Sequence, residues 1–102
     1  MWMSLVWLLE NPNWLYCVYI GKTRIGSGRA SVRQDIVLHG PGIRDQHCFI
    51  INDDDAVTLH PLTGQLAVDG VLATTPTKLV QGLHTFVLVG RTVAQYDRLL
   101  SG

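Results

Sequence analysis

The chain has 102 residues, enough for one domain with a modest core of its own. Apolar residues make up 47% and charged residues 16%, which excludes a disordered chain. Eight basic and eight acidic residues cancel, which excludes the overall basic charge typical of nucleic-acid-binding proteins. Basic residues nevertheless concentrate between positions 22 and 44, so the sequence predicts either a positive loop surface or an ordinary solvated rim there.

Short β-rich segments follow one another along the chain, each ended by Gly, Pro, Asn or Asp. In order they are SLVWLL, WLYCVYI, KTRI, DIVL, HCFII, AVTLHP, QLAV, VLA, HTFVLV and TVAQYDRLL. No window of twelve or more residues has a helical apolar period. Asp69–Gly70 predicts a two-residue hairpin, because a type I′ turn needs positive φ at both central positions. The pattern predicts an all-β antiparallel sandwich with its longest loops at 26–35 and 39–46.

Both ends of the chain are apolar. The first segment, MWMSLVWLL, lacks a basic leader and a small-residue cleavage site and is too short to span a membrane, so we interpret it as a buried first strand and predict no membrane insertion. Together with RLLSG at the other end, it would allow a dimer or a contact with flanking chain.

Catalytic and metal chemistry find little support in the sequence. Cys17 and Cys48 are too few for a disulfide framework, and both lie in apolar runs where free cysteine behaves as a small hydrophobe. His47 and Cys48 are neighbours, and adjacent strand residues point to opposite faces, so they do not form a dyad. The two cysteines stand 31 positions apart and match no zinc spacing. We therefore predict no enzyme, no metal and no cofactor.

The segment IGSGR, residues 25–29, is rich in glycine. No helix is predicted after it, which excludes a nucleotide-phosphate loop. It is either a tight turn or an anion-binding loop of backbone amides with Ser27 and Arg29.

Several segments, taken in order, resemble a forkhead-associated (FHA) domain: TRIGSGRASVRQDIVLHGPGIRDQHCFI, TLHP, VDG and LVQGLHTFVLVG. The nearest subgroup is the one found in third-class kinesin motors, in afadin and in the pleckstrin-homology-like family B proteins. The resemblance covers about residues 4–96, so we expect a single FHA domain over 1–102. It implies an FHA/SMAD-like sandwich of eleven strands that binds protein partners, often phosphothreonine peptides, through loops at one end.

At the positions that correspond to the family's contact residues, this chain has different residues. The arginine of the family's Gly-Arg pair falls on Ser27, with Arg29 two places on. The phosphate-binding serine falls on Arg44. The asparagine that holds the peptide backbone falls near Gly64, with Thr63 beside it.

The architectural positions, in contrast, match. Gly26 is the glycine of the Gly-Arg pair, and His47 is the histidine that braces the loop in the family. The family's later Asn-Gly turn is present as Asp69–Gly70.

The sequence thus predicts a cytoplasmic interaction module that is part of a cytoskeletal or scaffold protein. We expect it to dock a protein partner or an adjacent segment of a longer chain, with or without phosphorylation, and to bind no nucleic acid. Charge-assisted hydrogen bonds contribute roughly 1.5–3 kcal/mol each, so the altered contacts argue against phosphothreonine recognition in the family's manner. The alternative is a rearranged basic site of Ser27, Arg29 and Arg44 that binds phosphopeptides. A thiol enzyme using Cys48 is disfavoured.

Overall fold

The computed structural model describes residues 2–9, 15–29, 31–88 and 91–100, with only the backbone described at 91–93. Within these ranges the chain forms strands and no helix, so none of the described residues belongs to a helix able to cross a membrane. The strands are β1 (Trp2–Leu8), β2 (Leu15–Cys17), β3 (Gly21–Gly26), β4 (Ile36–Val37), β5 (Cys48–Asn52), β6 (Val57–Pro61), β7 (Leu66–Val68), β8 (Val71–Leu72), β9 (Thr77–Lys78), β10 (Gly82–Leu88) and β11 (Arg91–Leu100).

The strands form two sheets, and the predicted all-β sandwich is confirmed. The six-stranded sheet has the order β2-β1-β11-β10-β7-β8, and the five-stranded sheet has the order β4-β3-β5-β6-β9. Every described pair is antiparallel except β3 with β4, which is parallel. The parallel pair arises because residues 27–35 return the chain to the side of β3 before β4 begins.

The strands differ from those predicted from the sequence in two places. Strand β9 was not predicted, because two residues are too short to show an alternating pattern. The segment WLYCVYI forms a strand only at Leu15–Cys17 within the described chain, and its first residue lies outside the described residues. Past Cys17, the amide of Val18 donates to the carbonyl of Ser4, and Gly21, with a φ of 117°, turns the chain into β3.

The core lies between the sheets and is filled by alternate strand residues. Strand β1 is buried on one face only: Ser4, Val6 and Leu8 face inward, whereas on the opposite face Met3 is 39% exposed and Leu5 and Trp7 are half-buried. The segment thus forms the predicted first strand, with its burial confined to one face because a sandwich strand buries every second residue. The largest buried side chains include Tyr96, Phe86, Leu8, Ile36, Ile50, Leu59, Leu66, Leu79 and Leu88.

The turn between β7 and β8 has the conformation that its sequence requires. Asp69 and Gly70 have φ values of 52° and 82°, as in the predicted type I′ turn. The Asp69 carboxylate accepts hydrogen bonds from the Thr85 amide (2.8 Å) and from Nδ1 of His84 (2.6 Å). Partial desolvation raises the pKa of Asp69, but these two donors and the charge of His84 outweigh that effect and leave it lowered.

Three loops meet where β3 ends and β5 begins, which we call the loop end. They are residues 27–35, 38–47 and 62–65, and the first two correspond to the predicted long loops. The opposite end carries the turn between β5 and β6 and the start of β1. The sandwich thus brings together, at one end, the basic loop segments that lie apart in the sequence.

Candidate functional site

A depression of about 940 Å³ opens at the loop end between the loops. Four of the five predicted binding residues line it: Arg29, Arg44, Thr63 and Gly64. The other lining residues are Gly42, Ile43, Asp45, Gln46 and Leu62. The depression is therefore polar and charged on one side and partly apolar at Leu62, which is 49% exposed.

Ser27, the fifth predicted binding residue, is engaged with the neighbouring loop. Its amide donates to the carbonyl of Arg44 (3.0 Å), and its hydroxyl donates to Oδ1 of Asp45 (2.9 Å). The amide of Arg29 lies 3.4 Å from the same hydroxyl oxygen, which accepts from it weakly. The only hydrogen that the Ser27 hydroxyl can donate is therefore already given to a carboxylate.

Arg29 and Arg44 are both exposed and line the same depression. Neither forms an ion pair with Asp35 or Asp45, and the one ion pair found in the described ranges joins His84 to Asp69. Asp45, which was not among the binding residues predicted from the sequence, also lines the depression. Nothing in the spacing indicated that Ser27 would reach it across 18 positions.

His47 is fully buried and connects the loops around the depression. Its Nδ1 accepts a hydrogen bond from the amide of Arg44 (3.1 Å), and its Nε2 lies 2.8 Å from the carbonyl of Gln65. Because a carbonyl only accepts, Nε2 carries the hydrogen and the ring is neutral. Burial lowers the pKa of His47, the Gln65 carbonyl opposes this, and the charge of Arg44 lowers it further.

The backbone of His47 adds to this connection. Its carbonyl accepts from the amides of Leu62 (3.1 Å) and Thr63 (3.3 Å), while its amide donates to the carbonyl of Ile25 in β3. Thr63 adds a second link between these two loops, because its hydroxyl donates to the carbonyl of Gln46 (2.8 Å). One residue thus ties β3, the loop 38–47 and the loop 62–65 together.

Gly26 and Gly64 allow segments to approach at distances that a side chain would prevent. A Cβ at Gly26 would overlap the backbone carbonyl of Asp45. A Cβ at Gly64 would lie 2.5 Å from Cε1 of His47 and 2.9 Å from Cγ of Arg44, and the φ of Gly64 is +82°. The loops pack closely against His47 because these two positions lack side chains.

The cysteines do not support thiol chemistry. Cys48 is 1% exposed, and burial raises its pKa to about 12, so its nucleophilic thiolate is not populated at neutral pH. Both ring nitrogens of the adjacent His47 are engaged elsewhere. Cys17 is exposed, which corrects the expectation that it packs as a small hydrophobe: it pairs with Leu5 on the outer face of the six-stranded sheet. Over the described residues, no group of three His, Cys, Asp or Glu side chains could hold a metal ion.

A two-sheet sandwich with a recognition depression formed by loops at one end is typical of protein-interaction domains. The chain belongs to the FHA domain family, whose profile matches residues 17–84, and it is therefore a protein–protein interaction module. Asp69 and Gly70 lie in a separate hairpin beside β10 and do not line the depression.

The curated relatives include kinesin-like proteins. KIF16B of Homo sapiens is 44% identical over 86 residues, which are 83% of this chain and 6% of that protein. Klp98A of Drosophila melanogaster is 47% identical over 79 residues, 76% of this chain and 6% of that protein. The predicted resemblance to the FHA domains of third-class kinesins is confirmed, and the chain spans only a small part of these relatives.

Solved structures share the fold at low sequence identity. The FHA domain of an Arabidopsis thaliana hypothetical protein superposes with a TM-score of 0.77 at 17% identity, covering 98% of this chain and 87% of that one. The FHA domain of CT664 from Chlamydia trachomatis gives 0.76 at 21% identity, covering 98% and 99%. The MEK1 FHA domain, solved in complex with a HOP1 phosphothreonine peptide, gives 0.71 at 15% identity, covering 92% and 94%.

Proposed function

We propose that this domain docks a segment of a partner protein, or of its own longer chain, in the loop-end depression, without the phosphothreonine contacts typical of the family. One observation carries the proposal. At the position where the family resemblance places an arginine, Ser27 donates its hydroxyl hydrogen to Asp45, whose carboxylate lines the depression. A phosphate dianion bound there would meet a negative charge in place of a guanidinium fork.

The rest of the lining fits an ordinary protein segment. Arg29 and Arg44 offer two cations, Asp45 one anion, and Leu62 an apolar contact. Gly64 leaves the backbone of the loop 62–65 accessible beside Thr63. A mixed charged and apolar peptide satisfies this set without a doubly charged group.

The kinesin-like relatives suggest where such docking takes place. The chain corresponds to 6% of KIF16B and of Klp98A, so we propose that it serves as one FHA domain, over residues 1–102, within a longer cytoplasmic protein associated with the cytoskeleton. In that setting it is a non-enzymatic domain that binds protein and not nucleic acid. Its near-neutral composition supports this, because a nucleic-acid-binding domain generally carries an overall basic charge.

A second candidate function is phosphopeptide binding through a rearranged site. Its supporting observation is that Arg29 and Arg44 line one depression and are both free of ion pairs with Asp35 and Asp45 across the described chain. An arginine fork suits phosphate, so these two guanidinium groups could replace the family's contacts in a different geometry. Ser27 would then have to release Asp45 to take part.

Self-association remains a separate proposal. The outer face of the six-stranded sheet exposes Met3, Leu15, Leu72 and Leu83, which are between 39% and 65% exposed. Apolar exposure of this kind supports a dimer through this face. Sedimentation velocity over a range of concentrations tests it, with Leu83→Lys expected to shift the protein toward monomer.

The docking proposal is tested by capturing partners on the immobilised domain from lysate with and without phosphatase treatment. We expect the same proteins to be retained in both cases, and Arg44→Glu to release them. Loss of the retained proteins after phosphatase treatment would support the second candidate function instead.

A further inference from the structure

The outer face of the five-stranded sheet carries two rows of cross-strand partners. Residues directly opposite each other share a face, and the alternate residues Ile25, Cys48, Ile50 and Leu59 are buried in the core. The outward rows are Arg24, Phe49 and His60 in one, and Lys22, Ile51, Thr58 and Lys78 in the other. We call these seven residues the basic face.

The charge of the basic face has one sign. Lys22, Arg24 and Lys78 are cations, and neither row contains Asp or Glu. None of the three belongs to an ion pair with any residue that the structure describes. The nearest acid in the register, Asp35, lies at the edge, where its carboxylate accepts from the backbone amide of Arg24 (2.7 Å). With three cations against Asp35 at its edge, this face carries a net positive charge in a chain whose charges cancel overall.

Aromatic contacts hold part of the basic face in a fixed arrangement. The Nζ of Lys22 lies 4.1 Å from the ring centroid of Phe49. The rings of Phe49 and His60 stack at 4.7 Å with 5° between their planes. Side chains held in this way lose little further conformational freedom when a partner binds, which favours association.

The arrangement across the strands defines the shape of the partner. Phe49, Ile51 and Thr58 form a central strip on β5 and β6, with the cations of β3 on one side and Lys78 of β9 on the other. Strands lie about 4.8 Å apart, so β3 and β9 are separated by roughly 14 Å. An α-helix with its side chains is about 10–12 Å wide, which matches this separation.

We propose that the basic face binds an acidic amphipathic helix of a partner protein. The apolar stripe of the helix lies on the strip of Phe49, Ile51 and Thr58, and acidic residues on its two flanks meet Lys22 and Arg24 on one side and Lys78 on the other. A nucleic-acid backbone presents phosphates and no apolar stripe, so the central strip favours protein. This surface shares no residue with the loop-end depression, and the proposal stands or fails independently of the docking proposed there.

The probe is a synthetic 18-residue peptide with leucines at helical spacing on one face and glutamates on both flanks. It is titrated into the ¹⁵N-labelled domain while amide chemical shifts are followed. We expect saturable shifts at Lys22, Phe49, Ile51, Thr58 and Lys78, and a helical signal in the bound peptide. The exposed pair Lys22→Glu with Lys78→Glu is expected to weaken binding about tenfold or more. Lys22→Gln with Lys78→Gln repeats the test without introducing repulsion.

Matched controls separate this account from its competitors. A peptide of the same composition with scrambled leucines and a peptide with lysines for the glutamates are both expected not to bind. Arg44→Glu, at the loop end, is expected to leave binding unchanged. The proposal is overturned if the shifts appear at the loop end, if neither lysine pair weakens binding, or if the peptide fails to bind. It is also overturned if a duplex oligonucleotide or an anionic lipid vesicle binds the same residues more tightly than the peptide.

Discussion

The amide of Arg44 donates a hydrogen bond to Nδ1 of His47 across 3.1 Å, so an exposed cationic residue of the depression is held by a fully buried imidazole. The other ring nitrogen binds the carbonyl of Gln65. The backbone position of Arg44 sets the point from which its guanidinium side chain extends. That position therefore depends on a neutral imidazole in the core.

Replacing His47 tests this link. In His47→Leu the Arg44 amide and the Gln65 carbonyl lose their partners, and each unsatisfied group costs about 1–3 kcal/mol. We expect the free energy of unfolding to fall by roughly 2–6 kcal/mol in urea denaturation. His60→Leu, a change on the outer face of the sheet, serves as the control and should cost much less. A His47→Leu variant as stable as this control would show that the ring does not brace the loops.

The same ring predicts a pH dependence. The pKa of His47 is lowered in the folded state from its ordinary value of 6.5, chiefly by burial, so the unfolded chain binds its proton more readily. The stability contributed by neutral His47 is thus complete above pH 6.5 and is lost as the pH falls from 6.5 through the folded pKa. Urea denaturation at a series of pH values should show this decline, with a slope of up to about 1.4 kcal/mol per pH unit. The decline should be smaller in His47→Leu, and an equal slope in both proteins would contradict the assignment.

Substituting two glycines that share a backbone conformation distinguishes the cost of a strained backbone from the cost of a steric clash. Gly64 and Gly70 both have a φ of +82°, but only at Gly64 would a Cβ meet other atoms, those of His47 and Arg44. Gly70→Ala should therefore lose about 1–2 kcal/mol for its left-handed backbone alone. Gly64→Ala should lose that amount and more, and should shift the amide resonances of the loop 38–47. Equal losses in the two variants would mean that the loops can move apart without cost.

Thiol reactivity distinguishes the two cysteines. Cys17 is exposed, whereas Cys48 is buried with its pKa raised to about 12. We expect an alkylating reagent to modify one thiol in the folded protein and both after denaturation. Cys17→Ser should abolish the native-state reaction. Rapid modification of Cys48 in the folded state would reopen the possibility of thiol chemistry.

The sequence predicted the sandwich because the patterns that specify strands and turns involve residues close together in the chain. Alternating apolar residues set which side of each strand is buried, and the Asp69–Gly70 pair set a turn. Strand β9 was missed because its two residues, Thr77 and Lys78, are too few to show an alternating apolar pattern. The site depended on longer distances: the hydrogen bond between Ser27 and Asp45 joins two loops, and no local pattern encodes it. The strand and turn pattern located the two long loops, and the resemblance to the FHA family supplied the candidate contact residues. The contact that distinguishes this chain from the family's pattern emerged only from its fold.

Phosphate-independent binding at the loop end is the central claim, and one titration tests it most directly. A degenerate phosphothreonine peptide library and its unphosphorylated counterpart are titrated against the wild-type domain, Arg44→Ala, and the double variant Ser27→Arg with Arg44→Ser, which restores the family's residues. We predict less than a tenfold preference for phosphate in the wild type. The double variant should gain a preference of about two decades or more, as expected for two restored charge-assisted contacts. Tight wild-type binding of the phosphorylated library that Arg44→Ala abolishes would contradict the account.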